Sequence, residues 1–338
     1  MPDASPPHLD LYCLGNAIVD VIAQADDAFL ADHGIIKGAM NLIDAERAEA
    51  LYGAMGPATE MSGGSAGNTA AGAAALGCRV AYAGKVADDQ LGAIFRHDIR
   101  AIGVAHETAP LQGEAARERP TARSMIFVTP DAQRSMNTYL GACTAMGPAD
   151  VEPVAAAGAT VTYFEGYLWD APDAKAMIRE TARIAKANGR SVAMTLSDSF
   201  CVDRFRGEFL DLIRGGAVDT VFANGDEARA LYQTDDLDAA TERLAGDAAL
   251  AIVTHGVEGS IAIRGQERAR AKAFPVEAVD TTGAGDLYAA GFLSALVRGE
   301  PLGVCARLGA FAAGRIVAQV GPRPSPRLAD EARAAGVL

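Results

Sequence analysis

This 338-residue sequence predicts an α/β domain with a largely parallel central sheet covered by helices. Three observations carry that prediction. From residue 150 onward, Val- and Ile-rich segments alternate with helical ones, the pattern of a sheet covered on both faces. Half of the residues are apolar, enough for a sizeable core; only 6% are aromatic, and Ala and Gly are abundant, which suits helices packed closely over a sheet. Two segments, 24–56 and 107–142, interrupt the alternation and read as strand-like or irregular insertions.

In chain order, Leu11–Ala23 is rich in Val, Ile and Leu and reads as one strand. Ala66–Gly77 reads as an Ala-rich helix, and Cys78–Gly84 as a short strand. Asp88–Ile102 is a helix with Leu91, Ile94, Phe95, Ile99 and Ile102 on one face. Ala122–Val128 and Ser135–Leu140 flank Thr129-Pro130-Asp131 as a hairpin. Strands follow at Thr160–Phe164, Ser191–Leu196, Thr220–Ala223, Leu250–Thr254 and Ser260–Arg264. Helices lie between them at Ala174–Asn188, Val202–Arg214, Asp226–Tyr232 and Leu237–Ala245. The last helices are Gly285–Val297, Leu302–Val320 and Pro326–Ala335.

Charge and cysteine usage exclude several classes. With 30 basic and 43 acidic residues the net charge is −13, which argues against nucleic acid and anionic membranes as partners. The five cysteines form no CxxC pair, so free thiols in a reducing compartment are expected, and no HExxH zinc motif occurs. MPDASPPHLD lacks the features of a signal peptide, and no apolar run approaches ~18 residues. A cytoplasmic protein acting on a small molecule is the expectation, as a monomer or homodimer.

The most informative stretch is Asp280-Thr281-Thr282-Gly283-Ala284-Gly285-Asp286. An extended segment, Phe274–Val279, enters a small Gly-rich turn, and an Ala-rich helix leaves it. Free N–H groups of Gly283, Ala284, Gly285 and Asp286 at a helix N-terminus make an anion hole. A carboxylate there would repel a phosphate unless it has separate work. Taking a proton from a hydroxyl that attacks the phosphate is such work; a plain helix cap is the alternative.

This motif closely resembles the C-terminal signature of the ribokinase-like carbohydrate and nucleoside kinases, the PfkB family, and the resemblance extends over nearly the whole chain. It implies a single domain, 1–338, with a ribokinase-like three-layer fold and a small β-rich lid formed by insertions 24–56 and 107–142. It implies ATP and Mg²⁺ as cofactors, and leaves open a monovalent cation such as K⁺. It makes Asp286 the catalytic base and Gly283, Ala284 and Gly285 the anion hole.

Four other motifs fit this picture. Gly63-Gly64-Ser65-Ala66-Gly67-Asn68-Thr69 opens a helix with small residues and an amide suited to sugar hydroxyls. It is similar to the family's N-terminal signature, in which the Gly pair, here Gly63 and Gly64, and the Asn hold the ribose. Gly15-Asn16-Ala17-Ile18-Val19-Asp20 sets a carboxylate in an apolar strand, so Asp20 either lies in solvent at the strand end or accepts hydrogen bonds from a ligand. Asn224-Gly225-Asp226-Glu227 matches the family's N-x-x-E, with Glu227 a Mg²⁺ ligand through water; the same four residues also read as a capping box. Thr254-His255-Gly256-Val257-Glu258-Gly259 is a turn that the family places near ATP, which makes Thr254, Gly256 and Gly259 candidates.

Lys85 is not a Walker lysine, and Asp88 or Asp89 reads as a cap. Arg134 resembles a lid arginine that closes on the transferring phosphate in adenosine kinases, the branch of the family this sequence resembles most. Thr195-Leu196-Ser197-Asp198-Ser199-Phe200 resembles that branch's Asn-Leu-Ser-x-x-Phe, with Thr195 in place of Asn. The expected activity is ATP-dependent phosphorylation of the 5′-hydroxyl of a purine ribonucleoside, adenosine first. Asn41 and Asn16 are expected at the edge of the base, and Tyr167 and Leu168 at one wall. Kinases of a free sugar (ribose, fructose or a keto-deoxy sugar acid) and a non-catalytic nucleoside-binding protein are the alternatives.

Overall fold

Successive side chains of a strand leave on opposite faces. In Leu9–Leu14, Leu11 and Cys13 therefore enter one buried cluster, and Tyr12 and Leu14 enter another. These clusters lie on the two faces of one sheet, which explains why its strands read as continuous apolar runs. The computed structural model describes residues 8–131 and 133–338. Among the described residues the central sheet has eight strands. Their order is Glu267–Ala271, Ser260–Arg264, Leu250–Thr254, Thr220–Asn224, Ser191–Thr195, Ala159–Glu165, Leu9–Leu14, Val80–Ala83. The strands from Leu250–Thr254 to Val80–Ala83 are all parallel, and the remaining two form an antiparallel edge. With helices on both faces this is the three-layer ribokinase-like α/β fold.

A second sheet has the order Met40–Leu42, Arg134–Tyr139, Ala122–Val128, Ile18–Gln24, Ala58–Ser62. It corrects the reading of Leu11–Ala23 as one strand. The chain breaks at Gly15-Asn16-Ala17, and Ile18–Gln24 pairs with Ala58–Ser62 and Ala122–Val128 instead of continuing the central sheet. Uniform hydrophobicity hid the break, because both strands are buried. The first insertion also holds two helices, Asp27–Asp32 and Ala45–Ala54, which were not expected there. Each starts at an aspartate, Asp26 or Asp44, whose side chain accepts a hydrogen bond from the residue three positions on, a readable cap signal.

The helix Ala284–Leu296 packs between the helices Ser65–Ala75 and Leu302–Val317. Its contacts use backbone in place of side chains. A Cβ on Gly72 would lie 2.6 Å from Leu287 and 2.7 Å from Ala290, and one on Gly291 would lie 2.5 Å from the carbonyl oxygen of Leu308. This close approach ties the helix that begins at the signature to the helix that begins at Ser65. All five cysteines are buried free thiols, and no described helix is long and apolar enough to cross a membrane.

Replacing Gly291 with Val should destabilise the protein by about 1–3 kcal/mol or more, because the opposing atoms are backbone and cannot rotate away. Urea unfolding measures this. A loss under about 0.5 kcal/mol, the usual range for surface substitutions, would mean that the helix pair can spread.

Candidate active site

The signature folds around Asp280, which is 5% exposed. Its Oδ1 accepts a hydrogen bond from Thr282 N at 3.0 Å, and its Oδ2 accepts one from Gly321 N at 2.9 Å. Arg134, at the start of a strand of the second sheet, reaches Oδ2 through Nη2 at 2.7 Å, while its Nη1 is buried without a protein partner. Gly283 takes φ +78°, and a side chain there would press on Pro322, so this position requires glycine. No side chain caps the helix that starts at Ala284. The expectation of four free N–H groups is corrected at Ala284, whose N–H donates to Thr281 O at 3.2 Å; among the described residues those of Gly283, Gly285 and Asp286 have no backbone acceptor and can face an anion.

Two cavities meet at this helix end. The larger, about 630 Å³, is lined by Asn16, Asp20, Gly64, Ser65, Asn68, Glu165, Tyr167, Thr282 and Asp286, among others. The second, about 330 Å³, is lined by Thr254, Gly256, Gly259, Thr281, Ala284, Gly285 and Tyr288 together with small residues of the Leu302 helix. A single helical turn thus walls both, with Thr282 and Asp286 on one side and Thr281, Ala284 and Gly285 on the other.

In the larger cavity, Asp286 is held from two sides. Ser65 Oγ donates to Oδ1 at 2.6 Å, and Asn68 Nδ2 donates to Oδ2 at 2.9 Å. Burial raises its pKa above the ordinary carboxylate value, opposed by these two hydrogen bonds and by the charge of Arg323. Asp20 lies inside a strand and is 7% exposed, which excludes the reading of a solvated strand end. Burial pushes its carboxyl up to about 7, with Arg323 opposing. Gly63 leaves room for this carboxylate: a Cβ there would collide with it. Gly64, at φ +83°, could not carry a side chain without striking the carbonyl oxygen of Asn16.

Glu165 joins the two N-terminal motifs. Oε1 accepts from Asn16 N and Nδ2, both at 2.8 Å, and Oε2 accepts from Ala66 N at 2.7 Å. Burial raises its pKa to about 7 against those hydrogen bonds. Asn16 therefore faces the cavity with its backbone N–H and one Nδ2 hydrogen engaged and the second Nδ2 hydrogen left over.

The Asn224–Glu227 pair forms a complete capping box. Glu227 N donates to Asn224 Oδ1 at 2.9 Å, and the Glu227 carboxylate accepts from Asn224 N at 3.0 Å and Nδ2 at 2.6 Å. The box does not exhaust the carboxylate, since each oxygen keeps a lone pair. Burial pushes Glu227 up to about 7, with repulsion from Asp198, Asp226 and Asp286 adding to it. Among the described residues no three carboxylate, His or Cys side chains are grouped to ligate a metal directly, so Glu227 with its remaining lone pairs would hold Mg²⁺ only through water, beside Asn224.

Two expected residues lie elsewhere. Asn41 does not line the cavity; strand alternation turns its neighbours Met40 and Leu42 toward it instead. Leu168 is 2% exposed and packs in the core under a short 3₁₀ turn, leaving Tyr167 at the wall. Tyr167 is fixed by donation from its hydroxyl to Ser197 O at 3.3 Å. Thr195 Oγ1 accepts from Ser197 N at 3.3 Å, a contact within its own turn.

Several site residues escaped the sequence reading. Glu165 and Arg323 stand in no motif, Ser65 and Phe200 stand in motifs that give them no role of their own, and the small-residue wall of the second cavity has no motif either. For that wall a signal existed: Ala310, Ala313, Gly314 and Val317 follow i, i+3, i+4, i+7 spacing on the Leu302 helix. Phe200 is 79% exposed although large and apolar, an oddity that only the structure makes visible.

A helix end open to an anion and shared by two cavities, with the half-buried, hydrogen-bonded carboxylate of Asp286 on one side, is the arrangement of an ATP-dependent phosphotransferase acting on an alcohol. Residues 38–328 match the pfkB family of carbohydrate kinases, and the chain belongs to that family. It is 63% identical to an adenosine kinase from Sinorhizobium meliloti, whose structure superposes with a TM-score of 0.91 over 97% of this chain and 99% of that one. It is 57% identical to a probable sugar kinase from Rhizobium etli, with a TM-score of 0.92 over 98% of this chain and 99% of that one. An adenosine kinase from Saccharomyces cerevisiae is 28% identical over 343 residues, covering 94% of this chain and 98% of the yeast protein.

The raised carboxylates make stability depend on pH. Asp20, Glu165 and Glu227 each titrate at about 7 when folded, against about 4 in the unfolded chain. Between those values the folded state binds more protons than the unfolded one. Its stability is therefore highest below about pH 4–5 as far as these groups decide, and falls as pH rises through about 7. The ligand-free protein should melt at lower temperature at pH 8 than at pH 5.5, and Asp20→Asn should flatten that slope. Equal slopes in calorimetry for the two proteins would show that Asp20 is not held against ionisation.

Proposed function

We propose that the protein transfers the γ-phosphoryl group of ATP to the 5′-hydroxyl of a purine ribonucleoside, adenosine first. The observation that carries this reading is the division of the larger cavity. Polar groups gather at the signature end: Asp20, Ser65, Asn68 and Asp286. Exposed apolar side chains, Met40, Leu42 and Phe200, line its outer part, with Ile126 and Met136 behind them and Asp170, Asp203 and Arg204 also in the lining. Met40, Leu42 and Phe200 are 43%, 55% and 79% exposed, apolar surface that a flat ring can cover. A free sugar would leave that end of the cavity wet, whereas a nucleoside fills both ends. The adenosine kinases of S. meliloti and yeast among the relatives point the same way.

Asp20 supports the ribose assignment. Among the described residues its carboxylate takes no hydrogen bond, although it is buried, and two sugar hydroxyls would supply the missing donors. Asp286 receives the proton of the attacking hydroxyl, and the N–H groups at the start of the Ala284 helix receive the charge that develops on the phosphoryl oxygens. Mg²⁺, held through water by Glu227, would neutralise phosphate charge. The unpartnered Nη1 of Arg134 supports a contact from the second sheet to the same phosphoryl group. That sheet serves as the lid, excluding water as a competing acceptor. Thr254, Gly256 and Gly259, with the small-residue wall, hold the nucleoside part of ATP.

Asp286→Asn should lower kcat by ~10²–10⁴ with ATP affinity retained, the usual range for losing a general base. Near-wild-type turnover by the folded variant would refute this assignment. Phe200→Ala and Asp20→Ala should each weaken nucleoside binding by roughly 1–3 kcal/mol and leave ATP binding nearly unchanged, which calorimetry resolves. The substrate is tested by kcat/KM for adenosine, inosine, guanosine, cytidine, ribose and fructose in one buffer. A free sugar that outperforms every nucleoside about tenfold, roughly 1.4 kcal/mol, would leave only the sugar-kinase reading.

A further inference from the structure

Arg323 belongs to none of the motifs above, yet it is half-buried within hydrogen-bond reach of the acceptor site. Its Nε donates to Ser62 Oγ at 3.1 Å, and its Nη1 donates to Asn68 Oδ1 at 3.0 Å. Nη2 is buried without a partner. A guanidinium can only donate, so the amide oxygen of Asn68 must face Arg323 and its NH₂ must face the other way. There Nδ2 meets Asp286 Oδ2 at 2.9 Å. The orientation matters, because a flipped amide would turn its oxygen toward the carboxylate and repel it. Arg323 thus sets the sense of the hydrogen bond that steadies one oxygen of Asp286, while Ser65 steadies the other.

The backbone around Arg323 suits this task. Gly321 N bonds Asp280, Pro322 packs against Gly283, and Gln319 Nε2 donates to Arg323 O at 2.5 Å. One short loop therefore braces the anion-binding turn and carries the arginine that orients Asn68. Arg323 also faces Asp20, Asp98 and Asp286 as a positive charge among carboxylates.

We propose that Arg323 is a positioning residue for phosphoryl transfer, acting through the Asn68 amide to hold the Asp286 carboxylate toward the acceptor hydroxyl. This rests on the reading of Asp286 as the base.

The test uses Arg323→Met, Arg323→Lys, Asn68→Ala and the double variant Arg323→Met/Asn68→Ala, with Asp286→Asn as a separate arm. Steady-state kinetics are measured with adenosine and ATP, and folding is checked by circular dichroism and ATP binding. Arg323→Met should reduce kcat about tenfold or more while the KM for ATP stays within about twofold, the split expected when alignment, not nucleotide binding, is lost. Because the two residues act in series, the double variant should be no more than about twofold slower than Asn68→Ala alone. Arg323→Lys keeps the charge but not the two-pronged donor, and should still lose about fivefold in kcat; it carries the test if Arg323→Met does not fold. Wild-type kcat in a folded Arg323 variant, or losses that multiply in the double variant, would overturn the proposal. A slow Asp286→Asn enzyme beside a fully active Arg323→Met enzyme rejects only the role of Arg323. A fully active Asp286→Asn enzyme rejects the base itself.

Discussion

The carboxylate of Asp280 is the contact on which the rest of the site depends. It joins three parts of the chain that are remote in sequence: the signature turn through Thr282 N, the C-terminal loop through Gly321 N, and the second sheet through Arg134. A carboxylate that buried needs such partners to offset the loss of water. The arrangement also shapes the turn: Asp280 draws Thr282 N inward and Thr281 O takes the N–H of Ala284, which leaves those of Gly283, Gly285 and Asp286 without a backbone acceptor. The open helix end is thus partly a product of where Asp280 finds its donors.

Around that turn the molecule separates charge by purpose. Acidic groups crowd the acceptor cavity, and burial pushes several of them toward neutrality. Arg323 and Arg134 are the cations that the structure sets against them. The second cavity has mostly apolar and small-residue walls, so a nucleotide placed there, as proposed, would not meet comparable repulsion. The overall acidity of the chain therefore does not oppose a polyanionic cosubstrate, because the local field at the helix end differs from the global one.

Much of this was legible in sequence, and what was not has a physical explanation. Asp286, Asp20 and Asn68 sit in short motifs whose composition is odd for a plain turn or strand, so local chemistry exposed them. Glu165 is odd only once its partners are known: Ala66 lies 99 residues away and Asn16 lies 149 away. Arg323 meets Asn68 across 255 residues. No local pattern announces such pairings. Asn41 failed for the opposite reason, since an attractive side chain was chosen without fixing the register of its strand. The alternation of Met40 and Leu42 about it depends on pairing with Met136 and Thr138, which the sequence does not state. The misread strand at Leu11–Ala23 has a similar origin, because burial in two different sheets looks identical in hydropathy.

The glycine contacts of the Ala284 helix carry a further consequence. Gly72 against the side chains of Leu287 and Ala290 leaves no slack between the helices that bear Ser65, Asn68 and Asp286, and Gly291 against the Leu308 backbone fixes the Ala284 helix on the Leu302 helix behind it. The polar end of the larger cavity is consequently set by close helix-to-helix packing at glycines, whereas its outer part is set by individual side chains, Met40, Leu42, Met136 and Phe200. The two ends can diverge independently. Exchange of a few mouth residues can retune which acceptor is held without disturbing how its hydroxyl meets the phosphate. The same scaffold can therefore drift among acceptors over evolutionary time, and a designer seeking a new acceptor has a short list of positions to vary.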